Sequence, residues 1–275
     1  MSDGADDRAL LDVIEGYLDA VPRSATDPEP VGKFILFRPK GPWPYYGRPR
    51  LGLAEHVTKA DVDDLRERQR EQLLPENIEW VLETTPSLAA AAAESGLSVV
   101  EYPLLVYERQ RYMQMLTPGV SIRLIESTDP DFARAHAVAS VGFAAEGTQV
   151  GPEGAHERDE RAAASKPGVM DFMRERARKG LSISFAAFDD NGPISVGTHQ
   201  PVGQVTEIVG VATLPVARRR GIGAALTAAL VADALERGAT TVFLSAGSED
   251  VARVYERAGF RRIGTAGSAE SPRAS

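Results

Sequence analysis

The sequence predicts a mixed α/β fold, and three stretches predict it. Residues 33–107 alternate strand, helix, strand, helix, strand. Residues 182–199 hold two apolar runs joined through Asn191 and Gly192, a pair that favours the tight turn of an antiparallel hairpin. Residues 207–226, EIVGVATLPVARRRGIGAAL, pass from a β-branched strand through a proline and a basic, glycine-rich turn into an Ala/Leu helix.

Taken in order, Leu10, Leu11, Val13, Ile14, Tyr17 and Leu18 recur at helical spacing, so residues 1–30 read as an acidic, amphipathic N-terminal helix or arm. A first domain is expected over 31–115. It opens with a strand at 33–37, and an aromatic, proline-rich loop at 41–49 suits packing. A helix over 58–72 carries a thin apolar stripe of Val62, Leu65 and Gln69. A strand at 78–82 and a short helix at 88–93, stopped at Gly96, lead to a strand over 97–107 that Pro103 should break.

Residues 108–119 read as the join to a second domain, expected over 119–265. A strand at 120–124 and a helix at 131–141 begin it. Residues 144–167, rich in Gly, Glu, Ala and Ser, read as a solvated connector or a mobile wall, followed by a helix at 169–178. After the hairpin and a central strand at 205–214, the helix over 221–237 should bury Ile222, Leu226, Ala229, Leu230 and Ala234 and turn Thr227, Asp233 and Glu236 to water. A strand at 240–244, a helix beginning at Ser248 and capped by Gly259, and a strand at 260–263 close the domain. The small, polar residues 266–275 read as a disordered tail.

Composition narrows the function. Among 275 residues, 43% are hydrophobic and 25% charged, as in ordinary soluble domains, and no apolar run is long enough to span a membrane. The start MSDGADD lacks the basic character of a signal peptide, so a cytoplasmic location and no membrane partner are expected. With no cysteine there is neither disulfide nor thiolate chemistry, and His56, His136, His156 and His199 do not fall at ligand spacing, so no metal is expected. A net charge of −8 argues against nucleic acid as a partner.

The turn at 218–224 has the makings of an anion cradle. The first turn of a helix leaves backbone N–H groups unpaired at the positive end of the helix dipole. Gly221 and Gly223 let a guest approach the backbone, and Arg218, Arg219 and Arg220 add fixed charge. A nucleotide-triphosphate loop would need Lys and Ser or Thr where Ala224 and Ala225 stand. A dinucleotide fingerprint would need a small residue at Leu226 and an acid ending the next strand, which closes instead on Leu244 and Ser245. What remains is R-x-x-G-x-G, filled by Arg218, Gly221 and Gly223, with Tyr255, Gly259 and Phe260 downstream as Y-x-x-x-G-F.

These two patterns, in this order, resemble the signatures of the GNAT acyl-CoA N-acyltransferase superfamily. The resemblance implies a GNAT fold with a mixed, mostly antiparallel sheet flanked by helices. Residues 31–115 resemble a degenerate copy of the same topology without the cofactor motif, giving two similar domains in tandem: no R-x-x-G-x-G precedes 58–72, and Ala92 stands where the tyrosine would be.

The resemblance further implies acetyl-CoA as co-substrate, with its pyrophosphate on Arg218, Arg219, Arg220, Gly221, Ile222, Gly223 and Ala224, and its pantetheine arm along Val211, Ala212 and Thr213. The expected reaction is direct transfer of acetyl to a primary amine of a small molecule in a ternary complex. Tyr255 is the candidate acid for the leaving thiolate. Packing is its other reading, since Val251, Val254, Tyr255 and Ala258 form an apolar stripe. Glu207, a carboxylate on an apolar strand and on one pleat face with Val209 and Val211, is the candidate base, with a solvated or salt-bridged role as the alternative. His199 and Glu256 are weaker candidates. A non-catalytic acyl-CoA sensor or scaffold is the alternative function, and a homodimer is left open.

Overall fold

The structure, a computed structural model, describes residues 3–108, 119–145 and 147–272. Most of the expected join therefore lies outside the described residues. The chain divides into two compact units, Met1–Leu104 with Arg262–Ser275, and Leu105–Arg261. Its elements run α1 (Asp3–Ala20), β1 (Thr26–Val31), β2 (Phe34–Pro39), β3 (Gly47–Pro49), α2 (Lys59–Glu71), β4 (Asn77–Val81), α3 (Leu88–Glu94) and β5 (Ser98–Tyr107). They continue with β6 (Ser121–Ile125), α4 (Phe132–Ala144), α5 (Ala155–Ala163), α6 (Pro167–Arg178), β7 (Ile183–Asp189), β8 (Gly192–Val202) and β9 (Val205–Thr213). Last come α7 (Ile222–Glu236), β10 (Thr241–Ser245), α8 (Glu249–Arg257) and β11 (Phe260–Glu270).

In the first unit the strands lie in the order β1-β2-β3-β4-β11, with β3 and β4 parallel and the other pairs antiparallel. Strand β1 escapes sequence reading because Pro28 and Pro30 argue against a strand. Both sit on an edge strand opposite Phe37 and Ile35. Since the Phe37 N–H turns away toward Tyr46 (3.1 Å), the ladder at that pair asks nothing of the proline nitrogen. Pro103 likewise leaves β5 unbroken.

The first unit's core joins Phe34, Leu36, Leu65, Ile78, Trp80 and Leu88. Helix α1 belongs to this unit and is more than an arm. Ile14 and Tyr17 are buried, and Glu15 takes a hydrogen bond from buried Arg48 (3.0 Å) and another from Thr84 (2.6 Å).

The expected tail is the largest correction. Residues 266–270 are the second half of β11, paired antiparallel with β4 from Ala266 opposite Val81 to Glu270 opposite Asn77. Their small side chains have a packing cause: a Cβ on Gly267 would come within 2.5 Å of the Trp80 ring, and just before them in the same strand one on Gly264 would come within 2.8 Å of the Glu83 carboxylate. Composition that resembles disorder is here the composition of close approach.

In the second unit the order is β10-β9-β8-β7-β6, antiparallel except for the β9–β10 pair. Helix α7 packs Leu226, Leu230 and Val231 on this sheet with Ile208, Leu244 and Phe260. The stretch expected to be a connector contains α5, which has almost no apolar stripe to announce it. Its anchor is Arg158, fully buried, donating to the carbonyls of Pro193 (2.8 Å) and Asn191 (3.0 Å) at the β7–β8 turn.

Two residues of α7 expected to face water do not. Thr227 is buried with its hydroxyl on the Gly223 carbonyl (2.8 Å), and Asp233 pairs with Arg237 and with buried His199 (2.8 Å). The other ring nitrogen of His199 meets the Thr206 hydroxyl at 3.1 Å, and burial pushes the imidazole below its ordinary pKa.

Gly267→Ala should lower the stability of the protein by about 1–3 kcal/mol through overpacking on Trp80, measured by urea unfolding. An unchanged midpoint would mean that 266–270 does not pack on β4.

Candidate active site

Strand β9 is the spine of the site, and it is not regular. Its register with β8 shifts between Val196 and Thr198, so that Val196 lies opposite Ala212 while Thr198 lies opposite Val209. Gly210 sits at this bulge with φ +65°, and nothing lies within 4 Å of the Cβ it lacks, so glycine is needed there for its backbone and not for space.

The extra residue reverses the pleat. Thr206 and Ile208 face α7, Glu207 and Val209 point the other way, and beyond the bulge Val211 packs on the α7 cluster. Ala212 turns instead toward Gly142 of α4, whose missing Cβ would stand 3.0 Å from it. Val211 therefore does not share the face of Glu207, as unbroken alternation had suggested.

Beside β9, β10 is in parallel register at Thr241–Val205, Val242–Thr206 and Phe243–Glu207. Farther along, beyond the last paired residues, Val209 and Ser245 both line a cleft of about 1130 Å³. The end of α4, residues 147–149, the turn after β9, the first turn of α7 and one side of α8 complete it.

The floor of the cleft is the turn into α7. Its backbone is left-handed at Arg219 (φ 63°) and again at Gly221 (φ 78°), the helix N-cap. A non-glycine residue held there costs about 1 kcal/mol, a strain that tends to persist where a turn has work to do. Gly221 supplies no side-chain cap, and the amides of Ile222, Gly223 and Ala224 make no hydrogen bond among the described residues. Space above them is open: nothing approaches a Cβ on Gly221, and one on Gly223 would meet only the Thr213 hydroxyl, at 3.8 Å. Open amides at a helix N-terminus fit a phosphate group.

Of the residues expected from sequence, Glu207, Val211, Ala212, Thr213, Arg218, Arg219, Gly221, Ile222, Gly223, Ala224 and Tyr255 all line this cleft. Arg220 is exposed and is not among its walls. Arg219 is exposed and forms no ion pair among the described residues. Arg218 is half-buried and donates to backbone carbonyls, which fixes the turn. His199 is sealed under α7 and cannot serve the cleft.

Tyr255 does two things at once. Its ring packs on Phe260 (centroids 5.9 Å apart) and on the core beneath, while it also forms part of the cleft wall. Desolvation pushes its phenol up to about 12, so the group keeps its proton throughout the neutral range.

Sequence reading missed the bulge, the β10 end at Ser245, and the wall contributed by Gly142 and Phe143. Gly210 inside a strand pattern was the available signal for the bulge. The α4 wall carries no local motif.

Residues 153–260 match the model of the acetyltransferase (GNAT) family. The sequence similarity to the GNAT acetyltransferase superfamily is thus carried by this segment of the second unit. Among solved structures, a GCN5-related N-acetyltransferase from Kribbella flavida is similar over 96% of this chain and 96% of its own, with a TM-score of 0.70 and 20% identity. A putative GNAT-family acetyltransferase from Novosphingobium aromaticivorans is similar over 90% and 91%, with a TM-score of 0.52 and 18% identity. A tandem GNAT protein from the clavulanic acid biosynthesis pathway is similar over 89% and 80%, with a TM-score of 0.55 and 14% identity. At these identities the likeness is one of fold: a GNAT fold, in tandem. No curated protein matches the sequence. Among the described residues no helix is long and apolar enough to cross a membrane, and no group of side chains could hold a metal ion.

Gly210→Ala should cost about 1 kcal/mol of stability from backbone strain alone. Gly203→Ala, also at positive φ with nothing near its Cβ but outside the cleft, should cost a similar amount. Only the first should disturb the cleft, which amide exchange along β9 would report.

Proposed function

We propose that the second unit is an acetyl-CoA-dependent N-acetyltransferase acting on a primary amine of a small molecule by direct attack in a ternary complex. The observation that carries this reading is the single cleft in which an uncapped helix N-terminus, an opened strand edge, the Glu207 carboxylate and the protonated Tyr255 phenol meet. The amides of 222–224 and the charge of Arg219 suit the paired phosphates of coenzyme A. The freed edge of β9 over 211–213 suits the amide-bearing pantetheine arm, which can lie along it as an added strand.

Glu207, directly or through water, accepts a proton from the acceptor ammonium. The free amine then adds to the thioester carbonyl, and a main-chain N–H of β9 holds the oxyanion. Collapse breaks the C–S bond, Tyr255 gives its proton to the departing thiolate, the nitrogen loses its second proton to solvent as the amide forms, and Glu207 and the phenolate return to their starting states by proton exchange with solvent. A phenol raised to about 12 remains a donor at any working pH, and its own ionisation should not appear in the rate profile below about pH 10.

Tyr255→Phe should leave acetyl-CoA affinity within about twofold while lowering kcat by roughly 10–100-fold, within the range of a lost general acid. Calorimetry and thiol release across a panel of amines measure the two. Binding of acetyl-CoA without release of CoA to any amine would favour the sensor reading. Glu207→Gln should lose most activity at acidic pH, where the unassisted amine is protonated, and an unchanged pH–rate profile would remove Glu207 from the role of base.

A further inference from the structure

Arg218 opens the R-x-x-G-x-G pattern, which suggests a phosphate ligand, yet its guanidinium points elsewhere. Nη2 donates to the carbonyls of Gly142 (2.6 Å) and Ala145 (3.3 Å), Nη1 to that of Gln149 (3.2 Å), and Nε to that of Thr213 (3.4 Å). Those four donations leave a single N–H, so the fork that would grip a phosphate in bidentate fashion is already committed.

The four acceptors belong to three different pieces of chain. Gly142 and Ala145 lie at the carbonyl end of α4, Gln149 lies in the segment that walls the cleft, and Thr213 ends β9. Two further main-chain bonds clip the same pieces together: Gly151 N–H to the Pro215 carbonyl (3.2 Å) and Val216 N–H to the Glu153 carbonyl (3.1 Å). Gly142 completes the seam, since a Cβ there would stand 3.2 Å from the Thr213 carbonyl and 3.0 Å from Ala212.

We infer that Arg218 is a positioning residue: it caps the C-terminal end of α4 and holds the wall formed by 142–145 and 147–149 against 211–213, the strand edge proposed for the pantetheine arm. The cation answers the negative end of the α4 dipole, and its planar fork fixes the direction of the wall as well as its distance. Arg218 thereby serves the arm, and the pyrophosphate is left to the amides of 222–224 and to Arg219.

This inference rests on the acetyl-transfer reading, and a truncated donor separates the two roles of Arg218. Acetyl-pantetheine has the arm and the thioester but no phosphates. With Arg218→Lys, kcat/KM should fall by roughly tenfold for acetyl-CoA and by the same factor for acetyl-pantetheine, because a single ammonium cannot span the acceptors. Gly142→Val, which pushes the same wall outward while the arginine itself is kept, should also lower kcat/KM for both donors alike.

A loss confined to acetyl-CoA, or full rescue by lysine, would make Arg218 a phosphate ligand and overturn the inference. Amide exchange gives a readout independent of catalysis: Arg218→Lys should speed exchange at Gly151 and leave α8 protected, and unaltered exchange at Gly151 would also overturn it. If the unmodified protein transfers acetyl from neither donor, the proposed activity fails, while the exchange result still decides the role of Arg218.

Discussion

A helix N-terminus must do something with its first amides, and the two units of this chain do opposite things with theirs. In both, a helix connects a pair of parallel strands, α2 between β3 and β4 and α7 between β9 and β10. At α2 the amides are answered from within: Thr58 and Asp61 form a reciprocal capping box, and Lys33 neutralises the Asp61 carboxylate at 2.8 Å. An acid of the chain itself therefore occupies the place where an anion would bind. At α7 the cap is a glycine, the amides of 222–224 are unanswered, and the neighbouring cation Arg219 has no carboxylate partner among the described residues. One topology thus yields a closed helix start in the first unit and an open one in the second.

Leaving those amides open needs a surround that does not collapse on them. The bulge at Gly210 supplies part of it, because the extra residue carries β9 away from β10 just beyond the Glu207–Phe243 pair. The same residue reverses the pleat, so Ala212 meets α4 while Val211 and Thr213 keep contact with the α7 side. Buried polar groups hold the frame: Arg158 pins the β7–β8 turn, and His199 ties β8 and β9 to Asp233 of α7. Each is buried with its hydrogen-bonding groups matched, the condition under which polar groups in a core specify geometry without a large penalty. The cleft is therefore bounded by elements fixed from behind.

Much of this was legible in order along the chain. The hairpin at Asn191 and Gly192, the helix that starts at Thr58 and the helix of 222–236 follow from local chemistry, as does the glycine turn at 221. Where reading failed, a neighbour remote in sequence was responsible. Pro28 and Pro30 look like strand breakers until β1 is seen to be an edge, and Gly267 looks like part of a loose tail until Trp80 is seen against it. Helix α5 is held by a buried arginine and not by an apolar stripe, so periodicity had nothing to detect.

By itself, the sequence determined which residues could do chemistry: glycines at 221 and 223, a phenol at 255, a carboxylate at 207, and no thiol anywhere. Those are properties of side chains and of backbone freedom, and they travel with the residue. Only the tertiary structure decided what each is used for. It committed the Arg218 guanidinium, at the cleft wall, to the carbonyls of α4, left Arg220 outside the walls, and raised the Tyr255 phenol by enclosing it. Hydrogen-bond partners and desolvation depend on what stands across the gap, and in a folded chain that neighbour is rarely the next residue.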